Sequence, residues 1–490
     1  MEQSSASMTE LTPFLALLSL LSPPGLVTKA VPTSYFQVTA YGALGNGVHD
    51  DRPNIQAAMD AAMAAGGGTV YFPAGNYLLA SATAAGAQLL ATSWGDAYTL
   101  NFIGSGATLT TSTVNIAELE LVGRWRNSLI SGITFLNTHG LTTESSTGLY
   151  LQGGGGNQLR DNKISGNTFR NFQTMVVVAG VDTLSIDNNA FTMDLGRDSG
   201  SSTNTMPNVG VWMHDNGANG DSVRIRITNN SYKGCANLTD ISQTASRSCG
   251  DGFVYGVGYA GLVEGNSIQG FSAEGISLGQ MLSPNPGTTI AGNIIDGTMI
   301  TGDQFGGGGW GIRADADYTT ITNNIVINSL NGIFSCAQAG CGGTGVNAVG
   351  LRISDNTILT QNSGTQMIYA GISAIGLSRS VITNNHVTFT SGTLRTPGST
   401  TGIGISGSSS TNLSDAMTVV GNTITNRITA TGPTPAALTM QWMSNWDYQN
   451  NLLSGFYYGF NMTNLTITQP QITRLLNTNT LSAINTPYTP

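Results

Sequence analysis

The stretch ITNNIV (residues 321–326) decides the fold. It alternates apolar and polar positions around an asparagine at a bend, as a half-buried strand should. Working outward from it, the same unit recurs as ISGNTF (164–169), IDNNAF (186–191), ITNNSY (227–232), VEGNSI (263–268) and IAGNII (290–295). It returns as ISDNTI (353–358), ITNNHV (382–387), VVGNTI (419–424) and YQNNLL (448–453), and ISGITF (130–135) is the unit without its asparagine. The shared residues are Asn167, Asn189, Asn230, Asn266, Asn293, Asn324, Asn356, Asn385, Asn422 and Asn451, at spacings of 22 to 41. A repeat of that period is one turn of a solenoid. An asparagine at each bend can bond backbone groups, tolerate left-handed backbone and stack on the asparagine of the next coil. These asparagines are therefore read as structural, not catalytic.

A second strand recurs in most coils and opens with glycine: GLYLQ at 148, GVWMHD at 210, GFVYG at 252, GISLG at 275, GIRAD at 311, GIFSC at 332, GISAI at 371 and GIGIS at 402. Stacked coil on coil, these make a parallel sheet. The expected fold is all-β, a single-stranded right-handed parallel β-helix of about eleven coils, one per repeat. Its hand follows from the general rule for parallel crossovers.

Composition narrows the function. The 490 residues include 64 glycines, and only 9% are charged. Eighteen Lys and Arg against 27 Asp and Glu give a net charge of −9. That argues against nucleic acid as a partner, because phosphate binding needs concentrated cations. The apolar run FLALLSLL (14–21) is too short to span a bilayer. Residues 1–34 read as a signal-like or anchor segment, although Glu2 and Glu10 are wrong for a signal's basic start. Residues 35–490 then form the solenoid, with 35–80 and 455–490 as its end caps; the ladder is expected to stop at Asn451. Cys235 with Cys249, and Cys336 with Cys341, are close enough in sequence to pair as two disulfides, which favours a secreted protein. Four free buried thiols are the alternative. No zinc-ligand spacing occurs and no cofactor is implied. Calcium is compatible with the available acids and loop carbonyls, but no ligand motif demands it.

The N-terminal block reads VTAYGALGNGVHDD (38–51), a helix PNIQAAMDAAMAA (53–65), then GGGTVYFPAGNYLL (66–79). Pro53 at a helix start and Gly66 at its end are good boundary signals. Tyr41-Gly42-Ala43, Gly45, Gly47, Asp50-Asp51, Ile55-Gln56, Gly66-Gly67-Gly68 and Phe72-Pro73-Ala74-Gly75 resemble the opening of the pectate-lyase-like β-helix superfamily. Its members include polygalacturonase-like and rhamnogalacturonase-like hydrolases, mannuronan epimerases and phage tailspikes. The resemblance implies the fold and a capping role for the helix, with Asp50 and Asp51 structural. It does not imply a reaction. Neither the hydrolase set of Asp, Gly-His-Gly and Arg-Ile-Lys elements nor the epimerase Tyr-Gly, Asp-Pro and His motif is found here.

Candidate site residues follow from strand alternation. If the residue after each glycine points inwards, one outward column reads Tyr150, Trp212, Val254, Ser277, Arg313, Phe334, Ser373. A second reads Gln152, His214, Gly256, Gly279, Asp315, Cys336. Asp215, Asp251, Glu274 and Asp317 bracket these strands, and insertions at 194–208, 236–249 and 299–309 would wall a groove. Aromatic faces stack sugar rings and carboxyls bond hydroxyls, so the groove suits a polysaccharide. Glu274 or Asp251 is expected as proton donor and Asp315 as base of a glycoside hydrolase. Trp212, Asp215, Asp317 and Tyr150 are expected to contact substrate. The alternative is a lyase or epimerase on a uronate polymer, with His214 or Arg313 removing the C5 proton and Arg313 neutralising the carboxylate. A third reading is a non-enzymatic tailspike-like glycan binder, which would be a homotrimer.

Overall fold

The computed structural model describes residues 34–489 apart from 83–85, 114–115, 140–145, 154–158, 195–196, 199–207, 215–221, 235–246, 249–250, 258–260, 272–273, 280–286, 298–308, 337–347, 362–366, 369, 392, 395–399 and 429–434. The three expected insertions fall largely outside these residues. Asp215, Cys235, Cys249, Cys341 and the signal-like segment also lie outside them. Cys336 is disulfide-bonded.

The repeat folds as its alternation demands. In ITNNIV the short strands Thr320–Thr322 and Ile325–Ile327 flank the bend, with Ile321 and Val326 fully buried. Each pairs in parallel with the same strand of the next coil, Ile321 with Ile353 and Val326 with Ile358. The Asn324 amide donates to the Ile290 carbonyl at 2.9 Å and to Asn356 Oδ1 at 3.0 Å. Its own Oδ1 accepts the N–H and the side-chain amide of Asn293 at 3.0 and 2.9 Å. Thus one side chain satisfies buried groups on the coils below and above. Beyond the expected Asn451, the ladder takes in Asn479, whose Oδ1 accepts from the Asn451 amide at 2.9 Å. Asn479 lies 28 residues after Asn451, within the spacing of the repeat, but it follows Thr478 at the end of the helix Gln469–Thr478 instead of the usual Gly, Asn or Asp.

The left-handed corner is not at the ladder asparagine. It is at the residue before it: Asn188, Asn229, Asn323, Asp355, Asn384 and Asn450 have φ between 55° and 59°, and Gly166, Gly265, Gly292 and Gly421 between 61° and 72°. That explains why the position before each ladder asparagine from Asn167 to Asn451 is Gly, Asn or Asp, the residues that adopt left-handed backbone at low cost.

The glycine-led strands form a second sheet, fourteen parallel strands among the described residues, against about eleven coils counted from the ladder. The chain is a parallel β-helix with this sheet on one face. Its interior is a continuous apolar column. Phe135, Phe169 and Phe191 stack in successive coils, with centroids 4.8 and 5.2 Å apart. Helix Arg52–Ala64, one residue earlier than expected, buries Ile55, Ala58, Met59 and Ala62 against the first strands. Asp51 accepts the Leu44 and Gly45 amides, and Asp50 those of Ala80 and Arg52, so both acids hold local turns. No helix among the described residues is long and apolar enough to cross a membrane.

Candidate active site

The outward face of the fourteen-stranded sheet is set by its register. Glu120, Tyr150, Val177, Trp212, Tyr255, Ser277, Arg313, Phe334 and Ser373 pair in succession along one column. Two expected members are corrected. Val254 is fully buried, and Tyr255 takes its place on the surface, 38% exposed. Likewise Val257, not Gly256, pairs with Gly279. The cause is a one-residue offset. Gly252 pairs with Val209 rather than with Gly210, and a Cβ on it would lie 1.8 Å from the Glu274 carbonyl oxygen. The glycine serves a close backbone approach there, so GFVYG cannot be aligned by its glycine.

Arg313, on strand Trp310–Ala314, is the centre of the cluster. Its Nε donates to Asp315 Oδ2 at 2.9 Å, and its Nη1 donates to Glu274 Oε1 at 3.3 Å. The guanidinium lies 5.7 Å from the Phe334 ring centroid, a cation–π distance. Phe334 stacks on Trp310, with centroids 4.3 Å apart and planes 24° apart. Glu274 pairs with Trp310 across adjacent strands, so acid, cation and aromatic wall belong to three successive coils.

The remaining candidates divide. Asp315 is buried rather than groove-facing, and its Oδ1 accepts the Cys336 amide at 2.8 Å. Burial pushes its carboxyl up to about 6, against the lowering pull of Arg313 and the Cys336 amide. Asp251 is half-buried. Its Oδ2 accepts the Asn208 amide at 3.0 Å, and its carbonyl accepts the Glu274 amide at 2.9 Å, so Asp251 and Glu274 begin neighbouring strands. Burial first, then Glu274, raises the Tyr255 hydroxyl pKa, which Asp251 also raises and Arg313 lowers. Tyr255 thus joins the cluster electrostatically; only its strand register, not its motif, gives it away. Trp212, on strand Val209–Met213, meets His214 just beyond the strand's end edge to face at 4.4 Å. Tyr150 lies further along the column beside Glu120; burial raises both pKa values, and Glu120 adds to the rise at Tyr150. Asp317 is not in the groove; its Oδ1 caps the Val349 amide at 2.8 Å in a turn. Among the described residues, no group of three or more His, Cys, Asp or Glu is placed to hold a metal ion.

Residues 35–277 match the family described as rhamnogalacturonase A/epimerase, pectate lyase-like. A 47-residue stretch is 64% identical to mannuronan C5-epimerase AlgE4 of Azotobacter vinelandii, covering 10% of this chain and 8% of that protein. A 55-residue stretch is 49% identical to plasmin and fibronectin-binding protein A of Streptococcus pneumoniae, covering 11% and 8%. The chain therefore matches less than a tenth of the length of these curated relatives. Among solved structures, a tailspike protein of E. coli bacteriophage HK620 in complex with pentasaccharide overlays with a TM-score of 0.50 at 13% identity, over 88% of this chain and 71% of that one. The AlgE4 A-module gives 0.41 at 14% identity, over 93% and 98%. Over residues 35–277, just under half of its length, the chain resembles the pectate-lyase-like superfamily, and its fold is a right-handed parallel β-helix.

Proposed function

We propose that the chain is an extracellular polysaccharide-modifying enzyme that holds an extended glycan along the outward face of the fourteen-stranded sheet and acts on it at Glu274. The observation that carries this reading is Arg313 clamped between Glu274 and Asp315 with the Phe334–Trp310 stack against it. Aromatic faces hold sugar rings, and the clamp holds the Glu274 carboxyl at a fixed place on the wall. Asp315 has both oxygens engaged inside the wall, so it acts as the positioning residue for Arg313 rather than as the base. Glycosidic hydrolysis then uses Glu274 with Asp251, the two carboxyls at neighbouring strand starts.

A second reading is favoured by Tyr255 and by the epimerase members of the matched family. Here Tyr255 or His214 exchanges the C5 proton of a uronate, and Arg313 faces its carboxylate. Purified protein incubated with neutral and uronate polymers separates the two. New reducing ends alone mean hydrolysis. Reducing ends with ultraviolet absorbance mean elimination, and a changed sugar configuration without chain scission means epimerisation. No turnover and no binding on any of these polymers would overturn the enzymatic proposal.

A further inference from the structure

Three successive coils carry a different chemistry on the strands that flank the ladder bend. These strands are Leu159–Ser165 with Thr168–Arg170, Val181–Asp187 with Ala190–Thr192, and Val223–Thr228 with Ser231–Lys233. They belong to the long sheet, not to the fourteen-stranded one that bears Glu274. A third of the chain's 18 Lys and Arg lie on them: Arg160, Lys163, Arg170, Arg224, Arg226 and Lys233. The corresponding strands of the next three coils, from Gly261–Glu264 to Ile325–Ile327, carry no Lys or Arg and two acids, Glu264 and Asp296. A chain of net charge −9 thus gathers cations on one stretch of one face.

Four acids lie in the same stretch, and three of them sit beneath the cations. Asp182 takes an arginine from the coil on either side: Arg160 Nε is 3.5 Å from its Oδ2, and Arg224 Nη2 bonds its Oδ1. Asp187 pairs with Lys163 at 3.6 Å, and Asp194 pairs with Arg170. The four cations keep 44 to 65% of their side-chain surface exposed, the three acids only 5 to 25%. The acids therefore tether the cations from below and leave them facing solvent; Asp161 is the exposed exception. Such exposed ion pairs are weak, so an incoming anion can share the cation. Arg226 and Lys233 are exposed as well, and among the described residues no carboxylate pairs with either. Arg224 is held at a φ of 56°, a corner that Gly287 and Gly350 occupy in later coils, so the chain keeps a side chain there where glycine would avoid the strain.

The register spaces these charges. Lys163, Ser185 and Arg226 follow one another along one outward column, and Arg170, Thr192 and Lys233 along another. With coils about 4.8 Å apart, each column presents two cations about 9.6 Å apart with a hydroxyl between them. We propose that this face is a second, non-catalytic carbohydrate site that docks a uronate polymer along the coils. An extended uronate chain advances by about one strand spacing per sugar and turns alternate sugars to opposite sides. Its carboxylates on one side therefore recur at every second coil, over Lys163 and Arg226 or over Arg170 and Lys233. The hydroxyls of the sugar between them lie over Ser185 or Thr192. Duplex nucleic acid, with a charge for about every 1.7 Å of its axis, is too dense an anion for a face that also holds four acids. The site does not depend on the reaction assigned to the groove.

The test is retardation of the full chain in native gels cast with polygalacturonate, with dextran as the neutral control. The variant is Arg226→Gln with Lys233→Gln, which strands no acid and should leave the thermal midpoint unchanged. The native chain should be retarded by polygalacturonate and not by dextran, and the variant should bind roughly tenfold more weakly. Added salt should weaken the native chain's binding more steeply than the variant's. Equal affinity in native chain and variant would overturn the proposal. So would binding lost in Arg313→Gln but kept in the double variant, or duplex DNA binding more tightly than polygalacturonate. A native chain that is retarded through Arg226 and Lys233 yet turns over no polymer would count against the groove enzyme and for this site.

Discussion

Arg313 and Asp315 face each other from one strand, with Arg313 Nε 2.9 Å from Asp315 Oδ2, and the second Asp315 oxygen is spent on the Cys336 amide of the next coil. A guanidinium tied from behind cannot swing away from the groove. The same guanidinium also bonds Glu274 of the preceding coil, so Arg313 ties the two acids together.

Asp315 sets an acid limb. Its folded value of about 6 lies above 3.8, so the folded chain holds the proton more tightly than the unfolded one. The associated stability is present below about pH 4 and lost as pH rises to about 6. The ionised form is the one that grips Arg313, so turnover should rise through a pH near 6. In Asp315→Asn that limb should vanish from the kcat/KM profile while the fold is kept.

Glu274→Gln should lower kcat by roughly 10²- to 10⁴-fold, the usual contribution of a positioned proton-transfer group. Oligosaccharide binding, read by calorimetry, should survive. Full activity in this variant would remove Glu274 from the mechanism.

Phe334→Ala removes both the stack on Trp310 and the ring beside Arg313. Each contact contributes about 0.5–1.5 kcal/mol. KM should rise severalfold, and quenching of tryptophan fluorescence by glycan should weaken. An unchanged KM would place the sugar elsewhere on the sheet.

Asn324→Ala leaves buried groups unpaired on the preceding coil, the Ile290 carbonyl and the Asn293 amides that its Oδ1 accepted, and removes a donor to Asn356 Oδ1 on the following one. Each orphaned group costs about 1–3 kcal/mol, so the thermal midpoint should fall by several degrees. Asn229→Ala should be milder: it places alanine at a φ of 56°, a strain of about 1 kcal/mol.

The solenoid was legible in the chain because its period is written in side chains that each coil must repeat. Ile321 and Val326 point inwards, and Asn324 can satisfy buried backbone in one place only. The opening block with Asp50, Asp51 and the helix was legible for the same reason: turns and helix ends demand particular residues. The site was legible only in part. Glu274 and Arg313 stood out as rare charges beside glycine-led strands, and they do meet. Tyr255 was hidden because Gly252 serves a close approach to the Glu274 carbonyl, and alignment by glycine turned the strand by one residue. Asp315 looked exposed by alternation, yet the Cys336 amide and Arg313 draw its carboxylate into the wall. Local sequence thus determined the coil, because every coil obeys the same short-range rules. Which side chains share a site was decided by tertiary structure, because coil-to-coil register depends on backbone contacts tens of residues apart.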